Sequence, residues 1–344
     1  MKYVNAIAIF RQLKADLIGK DSHRGVSLTY AWLANQFGHF SLGFFPTLIL
    51  YRFLKVDTDS HARVAFTCSL YIGLAWLVFE LFNFLGPLLF KKNTASKLLF
   101  VPGKQQQFSP AWANIAFDTF TDVCFFVLGA FAAGEHLYAQ TNGWYVLGVT
   151  LLVVVYPAYY WYRTKIYLQN AQYPYQFRLS QWDYPIGSAE KQTVLEFLKD
   201  TSAYQHLLIF GAVNSGKTGL AVAIATECSF KQKACTYLTA FKLFAFLQPQ
   251  APATITLWNW QNAELLVIDD INPGQPVPDD IVTPTLFLQQ IDRQPENRQH
   301  LISKKVIWVL GYDAPADVQE AQWRQLLMTI GVHQSAIVSI HLPA

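Results

Sequence analysis

The residues best suited to do chemistry lie in one glycine-rich stretch, residues 211–218, which reads Gly-Ala-Val-Asn-Ser-Gly-Lys-Thr. This spacing fits the P-loop pattern, Gly-x-x-x-x-Gly-Lys-Thr, and the apolar residues 207–210 before it predict the strand that the motif requires. The glycines let the backbone turn so that its N–H groups converge on phosphate oxygens, while the helix that follows adds the positive end of its dipole. Lys217 can reach the β- and γ-phosphates of a nucleotide, and the Thr218 hydroxyl can ligate Mg²⁺.

This stretch predicts a phosphate-binding site. The predicted binding residues are Gly211, Asn214, Ser215, Gly216, Lys217, Thr218 and Gly219. A chance glycine-rich turn is the alternative. The helix-forming residues 220–225 follow the loop, as the motif requires, and argue against that alternative.

A pair of neighbouring carboxylates is the second chemical signal. Residues 264–270 read Glu-Leu-Leu-Val-Ile-Asp-Asp, an apolar strand that ends in Asp269 and Asp270. In a Walker B motif the first carboxylate would hold Mg²⁺ through water, and the second would polarise the attacking water. An ordinary buried strand that ends in a turn would also explain the run. Its position about 50 residues after the glycine-rich loop favours the nucleotide site. We therefore predict that Asp269 is a metal ligand and that Asp270 is catalytic together with Lys217.

The composition predicts a membrane region. The chain of 344 residues is long enough for two domains, and it is 52% hydrophobic but only 14% charged, against roughly 25% charged residues in typical domains. The apolar excess lies in residues 26–163. The net charge of +3 is too small to favour a nucleic-acid partner. The four cysteines have no zinc or Cys-x-x-Cys spacing and are interpreted as reduced thiols. The charged first 25 residues predict no cleavable signal peptide.

Four apolar stretches predict a transmembrane domain at residues 26–165. Each has about 20 residues or more, enough to cross a hydrocarbon core of ~30 Å as a helix. The stretches are residues 26–51, 64–90, 113–134 and 143–162. Buried helices of a soluble protein are the alternative, but the rest of the chain offers no layer to cover four such helices. Residues 1–25 are interpreted either as an amphipathic helix on the surface of the lipid bilayer or as a solvated tail.

Basic residues in the connecting segments predict that both termini are cytoplasmic. We expect the membrane to be a bacterial inner membrane. Residues 1–25 contain five of them, residues 91–104 contain four, and Arg163 and Lys165 follow the fourth stretch, whereas residues 135–142 contain none. Three basic residues between the first two stretches weaken this bias without reversing it.

Polar residues interrupt the apolar stretches on the side predicted to face the cytoplasm. They are Asn35, Gln36, His39, Glu80, Asn83, Asp118 and Asp122. Hydrogen bonds between helices are the simplest interpretation. A cytoplasm-facing polar vestibule on an ion or proton path is the second, and a metal site of His39, Glu80, Asp118 and Asp122 is the third.

The remaining residues predict a linker, 166–200, and an α/β domain, 201–344. Apolar runs at residues 234–239, 305–310 and 336–341 predict strands, and two further segments, 286–291 and 317–330, predict helices. Strands that alternate with helices after a P-loop indicate a parallel sheet covered on both faces. The predicted fold class is an α/β P-loop NTPase domain joined to an all-α four-helix transmembrane bundle.

The α/β half resembles a known group of proteins. The two motifs, with the strand between them and the later strand at residues 306–310, resemble the ATPase core of AAA+ and related P-loop ATPases. The Asp-Asp ending is similar to that of helicase-loader and transposon ATP-binding proteins. The resemblance covers about residues 180–344 and none of the apolar half. It implies ATP and Mg²⁺ as cofactors. Lys217 and Thr218 would bind phosphate and Mg²⁺, Asp269 would bind Mg²⁺, and Asp270 would activate the attacking water.

The sequence departs from this family in two places. Residues 311–313, Gly-Tyr-Asp, stand where members usually carry a polar sensor such as Asn or Thr, so the sensor role falls to Tyr312 or Asp313 or is lost. The sequence also ends at Ala344, so we expect no helical lid and expect ATP binding to be more secure than hydrolysis.

Two arginines precede the strand at residues 305–310, where such families place a finger that reaches a neighbouring subunit. Arg293 and Arg298 are each interpreted either as part of a solvated face or as such a finger in a homo-oligomer.

We therefore expect a membrane-anchored ATP-binding protein, an ATPase that couples its nucleotide state to assembly or conformational change of the membrane bundle. One alternative is a transport or channel protein with the ATPase domain as regulator or motor. Another is a nucleotide-dependent scaffold that hydrolyses little ATP and recruits partners. An ABC transporter is disfavoured because no Leu-Ser-Gly-Gly-Gln signature is present, and guanine specificity is not expected because no Asn-Lys-x-Asp motif follows the loop.

Overall fold

The structure is a computed structural model. The chain forms two compact units. The structure describes residues 3–18, 26–54, 60–89, 107–138, 143–248, 256–273, 281–312 and 315–343. The helical unit takes in the described residues of 7–104 and 111–165, and the α/β unit takes in those of 1–6, 105–110 and 166–344. The basic segment 91–104, Asp313 and residues 139–142 lie outside the described residues, so the predictions made for them stay predictions.

The helical unit is built from long helices, and five helices begin in or next to it. They are α1 (Ala6–Leu17), α2 (Leu28–Leu54), α3 (His61–Leu89), α4 (Trp112–Leu137) and α5 (Gly143–Asn170). Among the helices that the structure describes, α3, α4 and α5 are long and apolar enough to cross a membrane. Helix α2, which contains Asn35, Gln36 and His39, is not among the helices that meet this criterion. A fourth span therefore stays a prediction.

Helices α2 and α4 approach each other closely through two glycines. A Cβ atom on Gly43 would lie 2.1 Å from the carbonyl oxygen of Phe126, and one on Gly129 would lie 1.9 Å from that of Phe40. Small residues at such crossings let two helix backbones come into contact. Between helices in a lipid bilayer, where no hydrophobic effect drives association, this close packing supplies much of the stabilisation. Helix α3 joins this pair through Ser69, whose hydroxyl donates to the carbonyl of Ala130 at 2.9 Å.

The polar residues of the helical unit bond to one another. Gln36 Nε2 donates to Asp122 Oδ1 at 3.1 Å, which joins α2 to α4. His39 Nε2 lies 3.6 Å from the same carboxylate oxygen and 2.9 Å from Asn35 Nδ2. Within the described part of the chain, no three His, Cys, Asp or Glu side chains lie close enough to hold a metal ion. These contacts favour hydrogen bonds between helices over the alternative of a metal site.

The α/β unit contains a five-stranded parallel sheet in the order β2-β3-β4-β1-β5. The strands are β1 (His206–Gly211), β2 (Cys235–Thr239), β3 (Leu265–Ile271), β4 (Lys305–Leu310) and β5 (Ile337–Leu342). Their nearly continuous apolar runs fit a sheet buried on both faces. The helices are α6 (Ser188–Phe197), α7 (Lys217–Phe230), α8 (Ala240–Phe246), α9 (Pro284–Ile291), α10 (Glu296–Ile302) and α11 (Ala316–Ile330).

Alternate residues of β1 point into two separate apolar layers. Leu208 and Phe210 pack in the layer that contains Trp323 of α11, whereas Leu207 and Ile209 pack in the layer that contains α7. An apolar layer therefore lies on each face of the sheet, as expected of a doubly covered parallel sheet. An α/β unit and a helical unit are therefore both present.

The segment 166–200, predicted as a linker, contributes to the core of the α/β unit. It contains the end of α5, a short 3₁₀ turn at Leu179–Gln181 and helix α6. Trp182 and Phe197 are fully buried in the layer around α7. The Pro and Gly residues that suggested a linker instead shape an extended path along this layer.

The close crossing of α2 and α4 makes a stability prediction. Gly43→Val should destabilise the helical unit by about 1–3 kcal/mol or more, because the new side chain meets backbone atoms that cannot move aside. The matched control is Gly38→Val on the same helix, because a Cβ there has no neighbour within 4 Å. Thermal unfolding of the detergent-solubilised protein measures the difference. Equal melting temperatures for the two variants would contradict this packing.

Candidate functional site

The glycine-rich loop connects the end of β1 to the start of α7. Strand β1 ends at Gly211 and α7 begins at Lys217, so the backbone reverses within five residues. Gly216 has φ of +81°, a left-handed conformation that glycine adopts readily. Gly211 leaves room for the Ser215 hydroxyl, since a Cβ on Gly211 would lie 2.4 Å from Ser215 Oγ. The loop therefore places its N–H groups at the N-terminus of a buried 14-residue helix, where anions bind well.

Lys217 is folded back onto its own loop. Its ammonium group donates to the carbonyl of Ala212 at 2.5 Å. Burial lowers the pKa of Lys217, and the negative charge of Asp269 opposes part of that shift. A half-buried cation next to converging N–H groups is suited to bind an anion that enters the loop.

The carboxylate of Asp269 is buried and receives three hydrogen bonds. Thr218 Oγ1 donates to Oδ1 at 3.2 Å, Tyr237 of β2 donates to Oδ2 at 2.7 Å, and the backbone N–H of Asp270 donates to Oδ1 at 2.7 Å. Only 1% of Asp269 is exposed. Burial and the neighbouring Asp269 charge raise the pKa of Tyr237, which keeps its hydroxyl protonated as a donor. Thr218 and Asp269 together offer the hard oxygen ligands that Mg²⁺ prefers.

Asp270 has a different environment from Asp269. The ladder between β3 and β4 shifts register between Ile268 and Ile271, and Asp270 has φ of +57°. This left-handed turn leaves the Asp270 side chain exposed beside the buried Asp269. Partial burial and the charge of Asp269 raise the pKa of Asp270. Two adjacent carboxylates in unlike environments can take different roles, one as a ligand and the other as a base.

These groups surround a cavity of about 490 Å³. Residues 213–219 and the two carboxylates of Asp269 and Asp270 line it. An aromatic wall of Tyr175, Phe177 and Tyr184 completes the cavity. The cavity is large enough for a phosphate-bearing small molecule.

The aromatic wall belongs to a segment that we name the strap, residues 171–187. Trp182 of the strap is fully buried and donates from Nε1 to the carbonyl of Gly216 at 2.9 Å. The ring of Tyr184 lies directly on the loop, because a Cβ on Gly216 would lie 2.5 Å from Tyr184 Cδ2. The strap therefore contacts the loop at Gly216, the residue immediately before helix α7.

The strap is also fixed along α7. Arg178 forms a two-pronged ion pair with Glu227, with N–O distances of 2.8 and 3.1 Å, and its guanidinium lies 3.8 Å from the centre of the Phe230 ring. Tyr173 Oη lies 2.9 Å from Ser229 Oγ. The strap begins immediately after Asn170, the last residue of α5. Helix α5 thus continues directly into the segment that forms the aromatic wall.

The structure brings the predicted phosphate and metal residues together but keeps the two predicted finger residues apart from them. Arg293 donates to Gln248, and Arg298 binds Asp292 with distances of 2.6 and 2.8 Å. Neither arginine is among the described residues that line the cavity. The Arg298 guanidinium lowers the pKa of Asp292, which is the mark of an intrachain ion pair.

The position of the expected sensor holds a tyrosine that bonds elsewhere. Gly311 lines the cavity, whereas the hydroxyl of Tyr312 lies 3.2 Å from His341 Nδ1. His341 Nε2 in turn lies 2.7 Å from Glu320 Oε2, so Tyr312 belongs to a polar cluster with β5 and α11. Asp313, the other candidate, lies outside the described residues.

Sequence reasoning missed the aromatic contributors to the site. Tyr237, Tyr175, Tyr184 and Trp182 carry no motif of their own. The available signal was the density of aromatic residues in the segment 173–185, which contains Tyr-Pro-Tyr and a later Tyr-Pro. These dipeptides predicted only a break in regular structure, because proline restricts the backbone whatever the tyrosine contacts.

A second cavity of about 490 Å³ lies at the opposite edge of the sheet, where the strands begin. Three lysines line it, but each already has acceptors within the chain. Lys304 donates to the carbonyl of Gln261 at 2.6 Å, Lys305 donates to that of Phe197 at 2.6 Å, and Lys233 pairs with Asp200. The glycine-rich loop therefore remains the better candidate for anion binding.

The cavity at the glycine-rich loop combines an anion site, a pair of hard oxygen ligands and a carboxylate with a raised pKa. Such a set can bind a polyphosphate with a divalent cation and can activate a water molecule. No protein-family model matches the chain, and no curated protein matches it.

Proposed function

We propose that the protein is a membrane-anchored ATP-binding protein and ATPase whose nucleotide state is coupled to its helical unit. One observation carries this proposal: the glycine-rich loop, Lys217, the Thr218–Asp269 pair and Asp270 border a single cavity of about 490 Å³. The P-loop assignment predicts this grouping, and a chance glycine-rich turn does not.

Each group has a distinct task in this proposal. The loop N–H groups and Lys217 bind the phosphates, and Lys217 leaves the carbonyl of Ala212 to do so. Thr218 and Asp269 hold Mg²⁺, which neutralises the charge that develops on the phosphates during transfer. Asp270 accepts a proton from the attacking water, for which its raised pKa is favourable.

The order of the sheet supports a single site for the two motifs. Strand β4 lies between β1, which leads into the loop, and β3, which carries the carboxylates. Gly311, just after β4, lines the same cavity as both motifs.

The strap is the proposed means of coupling. It forms a wall of the cavity and continues directly from α5, which is long and apolar enough to cross a membrane. A nucleotide in the cavity would contact Tyr175 and Tyr184 and so restrict the strap. Because the strap is continuous with α5, this restriction reaches a membrane helix through the covalent chain.

We further propose four spans with both termini cytoplasmic, in a bacterial inner membrane. Helices α3, α4 and α5 support the spans by their length and hydropathy, and the basic segments support the orientation. This orientation presents the cavity to cytoplasmic ATP. We also propose that the protein self-associates. In the oligomer Arg293 or Arg298 would leave its partner within the chain and contact the nucleotide bound to a neighbouring subunit.

A nucleotide-dependent scaffold is the second candidate. Tyr312, at the position of the expected sensor, bonds to His341 rather than lining the cavity. A site that binds ATP firmly without such a sensor would hydrolyse it slowly. The protein would then stay in its ATP-bound conformation, as a scaffold requires. The rate measured in the variants below separates the two candidates.

Lys217→Ala should weaken Mg·ATP binding by about ten- to a hundredfold, because a charge-assisted bond to phosphate is worth about 1.5–3 kcal/mol. The matched control is Lys231→Ala at the other end of α7, whose ammonium bonds to the carbonyl of Leu198. Calorimetric titration of the purified full chain measures both. Wild-type affinity in Lys217→Ala would contradict the assignment of the loop.

Asp270→Asn should slow hydrolysis by about 10²–10⁴-fold while ATP binding changes little, since a base acts mainly in the transition state. The wild-type rate should fall on acidification at a higher pH than for an ordinary Asp, because the base must be ionised and its pKa is raised. Asp270→Asn should lose this acidic limb. Asp269→Asn should instead raise the Mg²⁺ concentration that is needed for half-maximal hydrolysis. An unchanged rate in Asp270→Asn would favour the scaffold.

Mg·ATP should slow amide hydrogen exchange in residues 173–187. If the strap must open for the nucleotide to leave, bound ATP opposes that opening. At an ATP concentration of about 100 times Kd, exchange of the strap amides can then slow by about a hundredfold. Helix α11 serves as the internal control, and Lys217→Ala serves as the control for occupancy. Unchanged exchange in the strap of a protein saturated with ATP would remove the proposed coupling route.

A further inference from the structure

Helix α1 exposes a face that is mostly apolar. Residues 7, 10, 11, 14, 17 and 18 share this exposed face. Ile7 is 63% exposed, Phe10 is 68%, Leu17 is 71% and Ile18, just after the helix, is 75%. Two cations, Arg11 and Lys14, lie among them. A helix that faced only water would show the opposite pattern, with its apolar residues turned inward.

The inward face of α1 carries a buried carboxylate. Asp16 is 4% exposed, and it accepts hydrogen bonds from Tyr162 of α5 at 2.7 Å and from Ser27 at 2.8 Å. Gln12, one turn earlier, donates to Asp16 at 2.8 Å and to Thr29 at 3.1 Å. These contacts fix the rotation of α1, because a buried carboxylate without its donors would be costly. The exposed apolar face is therefore enforced by the fold.

The attachment point lies about one bilayer thickness along α5. Tyr162 comes about 19 residues after Gly143, the first residue of α5, which corresponds to about 29 Å of helix. The hydrocarbon core of a bilayer is ~30 Å thick. Ser27 and Thr29 lie at the start of α2, so α1 is tied to the ends of two long helices. A helix held at this level lies at the boundary between lipid and water.

We propose that α1 is an interfacial helix that binds the anionic headgroups of phospholipids. Ile7, Phe10, Leu17 and Ile18 enter the boundary between headgroups and acyl chains. Arg11 and Lys14 extend from the same face to lipid phosphates, as long cationic side chains do at membrane surfaces. Charge complementarity and the level of attachment both select the bilayer surface as the occupant of this face. The proposal rests on the membrane location within the proposed function and is independent of ATP.

The first test places an environment-sensitive dye on the exposed face of the full chain. Phe10→Cys is labelled with NBD and the protein is reconstituted in nanodiscs of phosphatidylcholine alone or with 30% phosphatidylglycerol, each with or without a nitroxide lipid labelled near the headgroup. The matched control is Val318→Cys on α11, which is 44% exposed in the α/β unit. The four native cysteines are buried. Nitroxide should quench NBD at position 10 and leave NBD at position 318 unchanged.

The second test removes the two cations. Arg11→Gln/Lys14→Gln in the Phe10→Cys background should reduce the preference of the probe for the anionic nanodisc by about fivefold for each cation removed. The control, Lys191→Gln on α6 together with Lys199→Gln two residues after α6, removes the same charge elsewhere and should leave quenching unchanged. Equal quenching in neutral and anionic discs, insensitive to the double substitution, would overturn the headgroup assignment.

Two other outcomes would also overturn the proposal. A probe at position 10 as water-exposed as that at position 318 would mean that α1 is a solvated segment. A probe shielded from water but not quenched by nitroxide lipid would mean that protein covers this face. Resistance to alkaline carbonate extraction, measured on the same variants in vesicles, reports the spanning helices separately. Loss of that resistance would refute the membrane location itself rather than the role of α1 alone.

Discussion

The buried carboxylate of Asp269 is the interaction on which the candidate site depends. Its three donors come from three places: Thr218 in the first turn of α7, Tyr237 on β2 and the backbone of Asp270. A buried charge is tolerated only where hydrogen bonds replace its hydration, and the loss of one partner leaves a penalty of several kcal/mol. The carboxylate therefore fixes the loop helix, the neighbouring strand and the turn of β3 relative to one another. Asp270 can turn outward because Asp269 is held inward.

The strap gives this site a second set of constraints. Its contacts run along one face of α7, from Ser229 near the end of the helix to Gly216 at its start. Helix α7 is thus held by the sheet on one side and by the strap on the other. Because the same segment continues α5, any change in the loop has a covalent path to a helix with the length and hydropathy of a membrane span. The helical unit adds its own polar constraint in Asp16, which holds α1 with its apolar face outward.

Much of the α/β unit follows from the sequence. The two motifs each follow an apolar strand, and the ends of parallel strands meet at one edge of a sheet, so the juxtaposition of Thr218 and Asp269 could be expected. The donor Tyr237 could not, because nothing local distinguishes it from any other strand tyrosine. The strap was hidden for a related reason: its partners, such as Glu227 for Arg178, lie 49 residues away and form only once α7 is in place. The hydrogen bond from Gln36 of α2 to Asp122 of α4 could not be predicted either, because hydropathy does not record which polar residues pair.

A cryo-EM structure of the full chain in nanodiscs, with Mg²⁺ and a non-hydrolysable ATP analogue, tests the proposed nucleotide site most directly. We expect a triphosphate on the loop N–H groups, with Mg²⁺ beside Thr218 and Asp269. We also expect the Lys217 ammonium to have moved from the carbonyl of Ala212 to a phosphate oxygen. A saturated sample in which the analogue binds elsewhere, or in which Lys217 still bonds to Ala212 beside an empty loop, would contradict the proposal.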